Sequence, residues 1–167
     1  PPRDSFRRQR QMCIRDSDCI ELEITESSLI SDPERTQSSL DQIAALGVAL
    51  SIDDFGTGYS SLSYLKRLPV QAIKIDRSFV TDMLADQQDM VIVRSTINMA
   101  RNLGLTVAAE GAEDQATYDT LRGMGCDFVQ GYYISKPLEG SGIDEHFRSD
   151  TFRILRKSPS ENDVKKV

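Results

Sequence analysis

Val48-Ala49-Leu50-Ser51-Ile52-Asp53-Asp54-Phe55-Gly56-Thr57-Gly58 decides the fold. Val48–Asp53 alternates as a strand should: Leu50 and Ile52 point one way, Ser51 and Asp53 the other, because strand side chains have period two. Adjacent strand residues point apart. Asp53 and Asp54 therefore reach one centre only where the strand ends and the backbone turns, and Gly56 and Gly58 supply the freedom to turn there.

Working outward, the same design recurs four times. In the strand Ile20–Thr25, Leu22 and Ile24 share one face and Glu23 and Thr25 the other. In Ala72–Asp76, Lys74 opposes Ile73 and Ile75. In Thr106–Glu110, Glu110 follows Ala108 on the face opposite Val107, and in Phe128–Tyr133, Gln130 opposes Val129. Helical patterns fall between the strands. The first begins at Ser31-Asp32-Pro33-Glu34, carries Leu40, Ile43 and Ala44, and stops at Gly47. Ser60–Leu68 is closed by Pro69. Residues 87–103 place Met90, Val93, Ile97 and Ala100 on one face and end near Gly104. Asp114–Met124 and a final stretch over 143–156 complete the set.

Strand–helix alternation at this spacing implies parallel βα units and an α/β fold. Five strands suit either an open doubly wound sheet or part of a barrel. The phosphate-binding signatures G-x-G-x-x-G and G-x-x-x-x-G-K-[S/T] are missing, and periodicity does not choose further. Each strand pairs an apolar face, fit for helices, with a face of small residues and one polar group placed late. In parallel α/β folds, active sites form at the carboxyl ends of strands. Glu23, Asp53, Asp54 and Glu110 outnumber Lys74, and such a cluster repels itself unless cations or protons neutralise it. Two divalent ions would reverse its sign and suit an anionic phosphate. His146 is the only histidine, so metal ligands would be oxygens, which favours magnesium, manganese or calcium.

The length of 167 residues fits one domain. With 20 Lys+Arg against 26 Asp+Glu the net charge is -6, which argues against direct binding to DNA or RNA. Three cysteines without a C-x-x-C pair make no disulfide framework, and Cys126 reads as a small buried hydrophobe. Tyr59, Tyr132 and Tyr133 offer rings for contact with guanine, though aromatics in such places more often pack, and His146 reads as a surface residue. No apolar run approaches the ~18 residues of a membrane span. No charged start leads into a secretory apolar segment, so nothing within this sequence supports anchoring or secretion. Residues 1–17 are basic and aperiodic, and Met12–Ser17 resembles the translation of a transposon-end sequencing adapter. They are expected to be non-native, and 157–167 to be a fraying polar tail.

Five stretches together resemble the EAL domain in order and spacing from about Ile20 to Leu138. They are Glu21-Leu22-Glu23-Ile24-Thr25-Glu26-Ser27, Asp53-Asp54-Phe55-Gly56-Thr57-Gly58-Tyr59-Ser60-Ser61-Leu62, Lys74-Ile75-Asp76-Arg77-Ser78-Phe79, Ala109-Glu110-Gly111 and Gln130-Gly131-Tyr132. The resemblance implies the C-terminal part of a TIM-like (β/α)8 barrel over 18–156. It implies hydrolysis of the bacterial second messenger cyclic di-GMP to linear pGpG with two magnesium or manganese ions. Glu23 and Asp53 match metal ligands, Asp53 the bridging one, and Asp54 matches a ligand of the second metal. Lys74 matches the lysine that orients the attacking water. Glu110 matches the glutamate at the second metal that is also the proposed general base, and Gln130 a glutamine holding hydrated metal. Glu26 resembles the glutamate that steadies the loop Phe55-Gly56-Thr57-Gly58, which the family links to dimerisation and activity. Glu113 matches a common family position.

The family's Glu-Ala-Leu motif, its nearby arginine and an asparagine ligand would lie upstream, in the first third to two fifths of the barrel. The sequence departs from the pattern there. The expectation is a competent parent phosphodiesterase and an inactive, poorly soluble fragment with two open sheet edges. The resemblance also implies a cytoplasmic domain in a parent that can be membrane-tethered, paired as a homodimer and joined to sensory or GGDEF-type domains. The rival reading is a degenerate EAL domain that binds cyclic di-GMP or a protein without cleavage. The retained carboxylates and Lys74 favour the enzyme.

Overall fold

Among the described residues, five strands run parallel and lie side by side in the order in which the chain makes them, β1-β2-β3-β4-β5. They are β1 (Glu21–Thr25), β2 (Ala49–Phe55), β3 (Ala72–Ile75), β4 (Thr106–Glu110) and β5 (Phe128–Gln130). Doubly wound sheets reverse strand order at a switch point, whereas barrels add each strand beside the last. The monotonic order therefore selects the barrel arc that periodicity left undecided. The computed structural model describes residues 20–29, 33–58, 62–140 and 142–143. Outside them lie 1–17, Cys19, the capping pair Ser31-Asp32, Tyr59, Ser60, Ser61, His146, the tail, and the helix expected over 143–156 beyond its first residue.

Helices α1 (Pro33–Ala44), α2 (Leu62–Leu65), α3 (Arg77–Val80), α4 (Gln87–Asn102) and α5 (Gln115–Gly123) occupy the connections. Pro33 stands at the first position of α1, where its fixed φ is helical and no amide partner is lost. Asp86 and Asp114 cap α4 and α5 by accepting from Gln88 N (2.7 Å) and Thr117 N (2.8 Å). The expected stripe on α4 is present: Val93, Ile97 and Ala100 are fully buried and Met90 packs at their margin. α3 was not expected from periodicity, because one turn is too short to show a period of 3.6; its sequence signal is the cap, Asp76-Arg77-Ser78.

The core lies on one side of the sheet. Leu50, Ile52, Ile73, Ile75, Val107 and Ala109 are all fully buried beneath the helices. The opposite face carries Ser51, Asp53, Ala72, Lys74, Ala108 and Glu110, so alternation sorted the strands as the sequence indicated. Small side chains there leave a cavity of about 380 Å³ bordered by Glu23, Ala72, Lys74 and Ala108.

Three expectations need correction. β2 does not end at Asp53; it runs on to Phe55 through an irregularity described below. β5 stops at Gln130 rather than Tyr133, because the chain turns at Gly131, with Ile134 N and Ser135 N bonded to its carbonyl. The apolar face of β1 is only partly covered: Ile24 packs against the core, but Leu22 is 42% exposed and Ile20 48%. Phe128 on β5 is 65% exposed. Among the described residues, β1 and β5 are the two unpaired margins of the sheet.

Cys126 is buried just before β5, with Sγ facing Phe128 O at 3.1 Å. Burial pushes its thiol up to about 12, so the nucleophilic thiolate is scarce at neutral pH. Iodoacetamide at pH 8 is expected to modify Cys126 at least about 10²-fold more slowly in the native protein than in urea. Peptide mapping by mass spectrometry reads Cys126 apart from Cys13 and Cys19.

Candidate functional site

Lys74 is the centre of the site. Its Nζ lies 2.6 Å from Glu23 Oε1, 2.6 Å from Glu110 Oε1 and 3.4 Å from Asp53 Oδ1. Four of the five strands thus send one charged side chain to one point. The register explains the meeting: Thr25 pairs with Asp53, Lys74 with Ala108, and Glu110 with Gln130. The Lys74 side chain is only 12% exposed, against 23% for Asp53 and Glu110 and 49% for Glu23, so the ammonium sits deepest. Desolvation alone would lower its pKa. The hydrogen bonds to Glu110 and Glu23, with the charges of Glu110 and Asp53, outweigh that and hold it well above the ordinary lysine value. The folded pKa is the raised one, so the stabilisation is complete below pH 10.5 and lost only above it.

Asp53 and Asp54 reach this mouth by a different route from the one the sequence suggested. Ile52 pairs with Ile73 and Phe55 with Ile75, so two residues of β2 stand opposite Lys74 alone. That is a β-bulge, in which one extra residue kinks the strand and re-aims side chains. Asp54 adopts φ 55°, the only positive φ at a non-glycine among the described residues, and aspartate tolerates this region better than most. The strand thus bends within itself instead of ending. Desolvation first, and then the negative neighbours Asp53, Asp76 and Glu110, hold the Asp54 carboxyl above the usual carboxylate range.

Beyond the bulge the loop is pinned from below. Glu26 opens a single 3-10 turn, Glu26–Leu29, and is 2% exposed. Its Oε2 accepts from Gly56 N (2.9 Å) and Gly58 N (3.0 Å). Thr57 donates from N (3.3 Å) and Oγ1 (2.8 Å) to the Asp54 carbonyl. Phe55 packs at the edge of the core. Gly56 has φ 105°, and a Cβ there would meet the Phe79 ring at 2.9 Å, so both backbone and space require glycine.

Gln130 stands beside Glu110 at the end of β5. With Glu110, Glu113, Arg77 and Tyr132 it borders a second cavity of about 190 Å³. Tyr132 is 60% exposed, whereas Tyr133 packs on Tyr118 with ring centroids 5.5 Å apart. Glu23, Asp53, Asp54, Lys74 and Glu110 therefore come together, Gln130 and Glu113 flank them, and Glu26 acts from beneath the loop. Asp76 and Arg77 were overlooked as site residues. The signal for Asp76 was available: it lies two residues after Lys74, hence on the same face at the strand's end.

The carboxylates are hard oxygen donors of the kind magnesium, manganese and calcium take, and three of them share one ammonium. The donor set fits such cations. In this arrangement the Lys74 ammonium holds the centre, and among the described residues no three acidic side chains meet at one cation-sized point.

The EAL domain family model matches residues 5–137, beginning inside the segment 1–17 that composition set apart. The chain belongs to the EAL domain family. It is 48% identical over 133 residues to the cyclic di-GMP phosphodiesterase NbdA of Pseudomonas aeruginosa, which is 80% of this chain and 17% of that protein. The EAL fold is matched in the solved complex of the phosphodiesterase PaMucR with c-di-GMP. That match has 39% identity and a TM-score of 0.75, and covers 80% of this chain and 56% of that one. Klebsiella pneumoniae BlrP1, solved as a manganese and cyclic di-GMP complex, matches at 34% identity and a TM-score of 0.64 over 70% of this chain and 30% of that one. This EAL chain thus spans about a sixth of its curated relative and about half of the solved PaMucR chain.

Removing the Glu26 carboxylate leaves two loop amides without an acceptor. Glu26→Ala is expected to destabilise the fold by about 2–4 kcal/mol and to speed hydrogen exchange at Gly56 and Gly58. Glu26→Gln, which keeps a carbonyl acceptor, should lose less. Urea denaturation and amide exchange read the two effects.

Proposed function

We propose that this chain carries the C-terminal part of the active site of a cyclic di-GMP phosphodiesterase that cleaves its substrate to linear pGpG. The observation that carries the reading is the ammonium of Lys74 held within 2.6 Å of both Glu23 and Glu110 at one mouth of the sheet. An ion pair serving stability alone needs one partner. Here three strands converge their acids on a fourth, in a family whose relative NbdA is named a cyclic di-GMP phosphodiesterase.

Glu23, Asp53, Asp54 and Glu110 would hold two magnesium or manganese ions, with Gln130 beside them. When bound, the ions would lower the pKa of a water and neutralise charge on the phosphate and on the leaving oxygen. Lys74 orients the water by donating to it, and the rigid strand below fixes that direction. Glu110 takes the water's proton as the new P–O bond forms. The bond from phosphorus to the 3′ oxygen breaks, and that oxygen leaves with a proton on the linear product. The loop Phe55-Gly56-Thr57-Gly58, anchored by Glu26, fixes the far side of the mouth.

Five strands with two unpaired margins do not enclose a substrate or complete a metal shell, for a closed parallel barrel takes about eight. The 167-residue chain alone is therefore proposed to be inactive, with activity belonging to the parent. We place the domain in the cytoplasm, where a soluble nucleotide messenger is met, in a parent that pairs as a homodimer or carries upstream domains. No helix among the described residues is long and apolar enough to cross a membrane.

The test is hydrolysis of cyclic di-GMP with manganese by the full-length parent and by the 167-residue chain. The parent should produce pGpG and the chain alone none. In the parent, Lys74→Met should cut the rate roughly 10²-fold or more through lost orientation of the water, with manganese still bound. Tight binding of cyclic di-GMP by the parent without turnover would instead select the receptor reading.

A further inference from the structure

The single turn α3 begins three residues after Lys74, and β3 lies between β2 and β4. Its footing is firm. Asp76 caps it, with Oδ1 accepting from Ser78 N (2.9 Å) and from Ser78 Oγ. Val80 within the turn and Ile75 just before it are both fully buried. From that footing α3 touches the exits of both neighbouring strands. On the β2 side the Phe79 ring closes on Gly56, where a Cβ would lie 2.9 Å from Phe79 Cε2. On the β4 side a Cβ on Gly111 would lie 2.7 Å from the Arg77 Cβ and 3.2 Å from its Cα. Each contact falls just past an acid of the mouth: Gly56 is two residues after Asp54, and Gly111 follows Glu110 directly. Glu26, which follows β1, grips the amides of Gly56 and Gly58 from the other side. The loop after β2 is thus held between β1 and β3, and the Phe79 ring is its stop on the β3 side.

We propose that α3 is a spacer that sets the gap between the Asp53-Asp54 pair and Glu110 across Lys74, with Phe79 as its positioning residue on the β2 side. This rests on the reading of those acids as ligands of two cations. Paired ions in such sites stand about 3.5–4 Å apart, so the carboxylates that hold them must keep a matching separation. The Lys74 stem is flexible and follows the acids. A close-packed ring against a glycine backbone has no such give, because packed interiors transmit strain. Phe79 itself needs no contact with metal or substrate.

Three substitutions separate spacing from general packing. Phe79→Leu stays apolar but loses the reach of the ring, Phe79→Tyr keeps the ring, and Ile97→Val trims the same core from α4, away from the loop. In the full-length parent, Phe79→Leu should lose manganese affinity about tenfold by electron paramagnetic resonance titration, with the KM for cyclic di-GMP moving less than about threefold. Phe79→Tyr and Ile97→Val should both keep the parent's manganese affinity. In the 167-residue chain, amide exchange at Gly56 should speed about tenfold in Phe79→Leu and hold steady in Ile97→Val. Unchanged manganese affinity in Phe79→Leu would overturn the proposal, and so would an equal loss in Phe79→Tyr or Ile97→Val. If the unsubstituted parent takes up no manganese, the ligand reading fails on its own, and the spacer is judged by exchange at Gly56. A rise confined to Phe79→Leu supports it there, and a rate unchanged in Phe79→Leu or raised equally in Ile97→Val overturns it.

Discussion

A buried ammonium that must be shared is the constraint on which this molecule turns. Lys74 rises from the middle of the sheet into a space where water is scarce, and a lone cation there would be expensive. Glu23, Asp53 and Glu110 offset that cost from three other strands. The arrangement is possible only if all four strands point the same way and finish at the same height, so the parallel register is a condition of the charge cluster as well as of the core. Apolar burial on the helix side fixes the register; the polar side inherits it.

The bulge in β2 answers a geometric difficulty. A regular strand can present Asp53 or Asp54 to the mouth but not both. An extra residue opposite Lys74 and one left-handed aspartate bring the pair round without ending the strand. The distortion needs support, and it comes from two directions: Thr57 on the Asp54 carbonyl and Glu26 on the loop amides. The Gly-Thr-Gly sequence that reads as a flexible exit is in fact held in place. Its glycines are there because the Phe79 ring at Gly56 and the Glu26 side chain at Gly58 come too close for a Cβ.

Alternation and order of elements were legible in the residues. Ile73-Lys74-Ile75 and Val107-Ala108-Ala109-Glu110 state in a few letters which side faces the helices and which faces the site, and the structure follows them. The doubly wound and barrel alternatives were not separable, because strand order is a property of how units pack and leaves no trace in local periodicity. The bulge was hidden for a related reason: Asp-Asp before Phe-Gly reads equally well as a strand end or as a kink, and only the pairing partner decides. Asp76 was visible as the cap of α3, accepting from Ser78 N, because the Asp-Arg-Ser run carries that signal locally. Leu22 reads as part of an apolar face and stands exposed, because an edge strand has the pattern of a central one and lacks only the neighbour.

Sequential strand order bears on how the fold comes into being. Each new strand docks on the one made just before it, so most pairings close short stretches of chain and carry little loop entropy. Parallel pairing is still slow beside helix formation, because each strand waits for the connecting stretch to close. The link from Glu23 to Lys74 is the exception, spanning 51 positions and skipping a strand. It can form only after β2 has seated between its partners. The charged mouth is therefore a late event on the folding pathway, assembled on a scaffold that nearest-neighbour docking has already laid down.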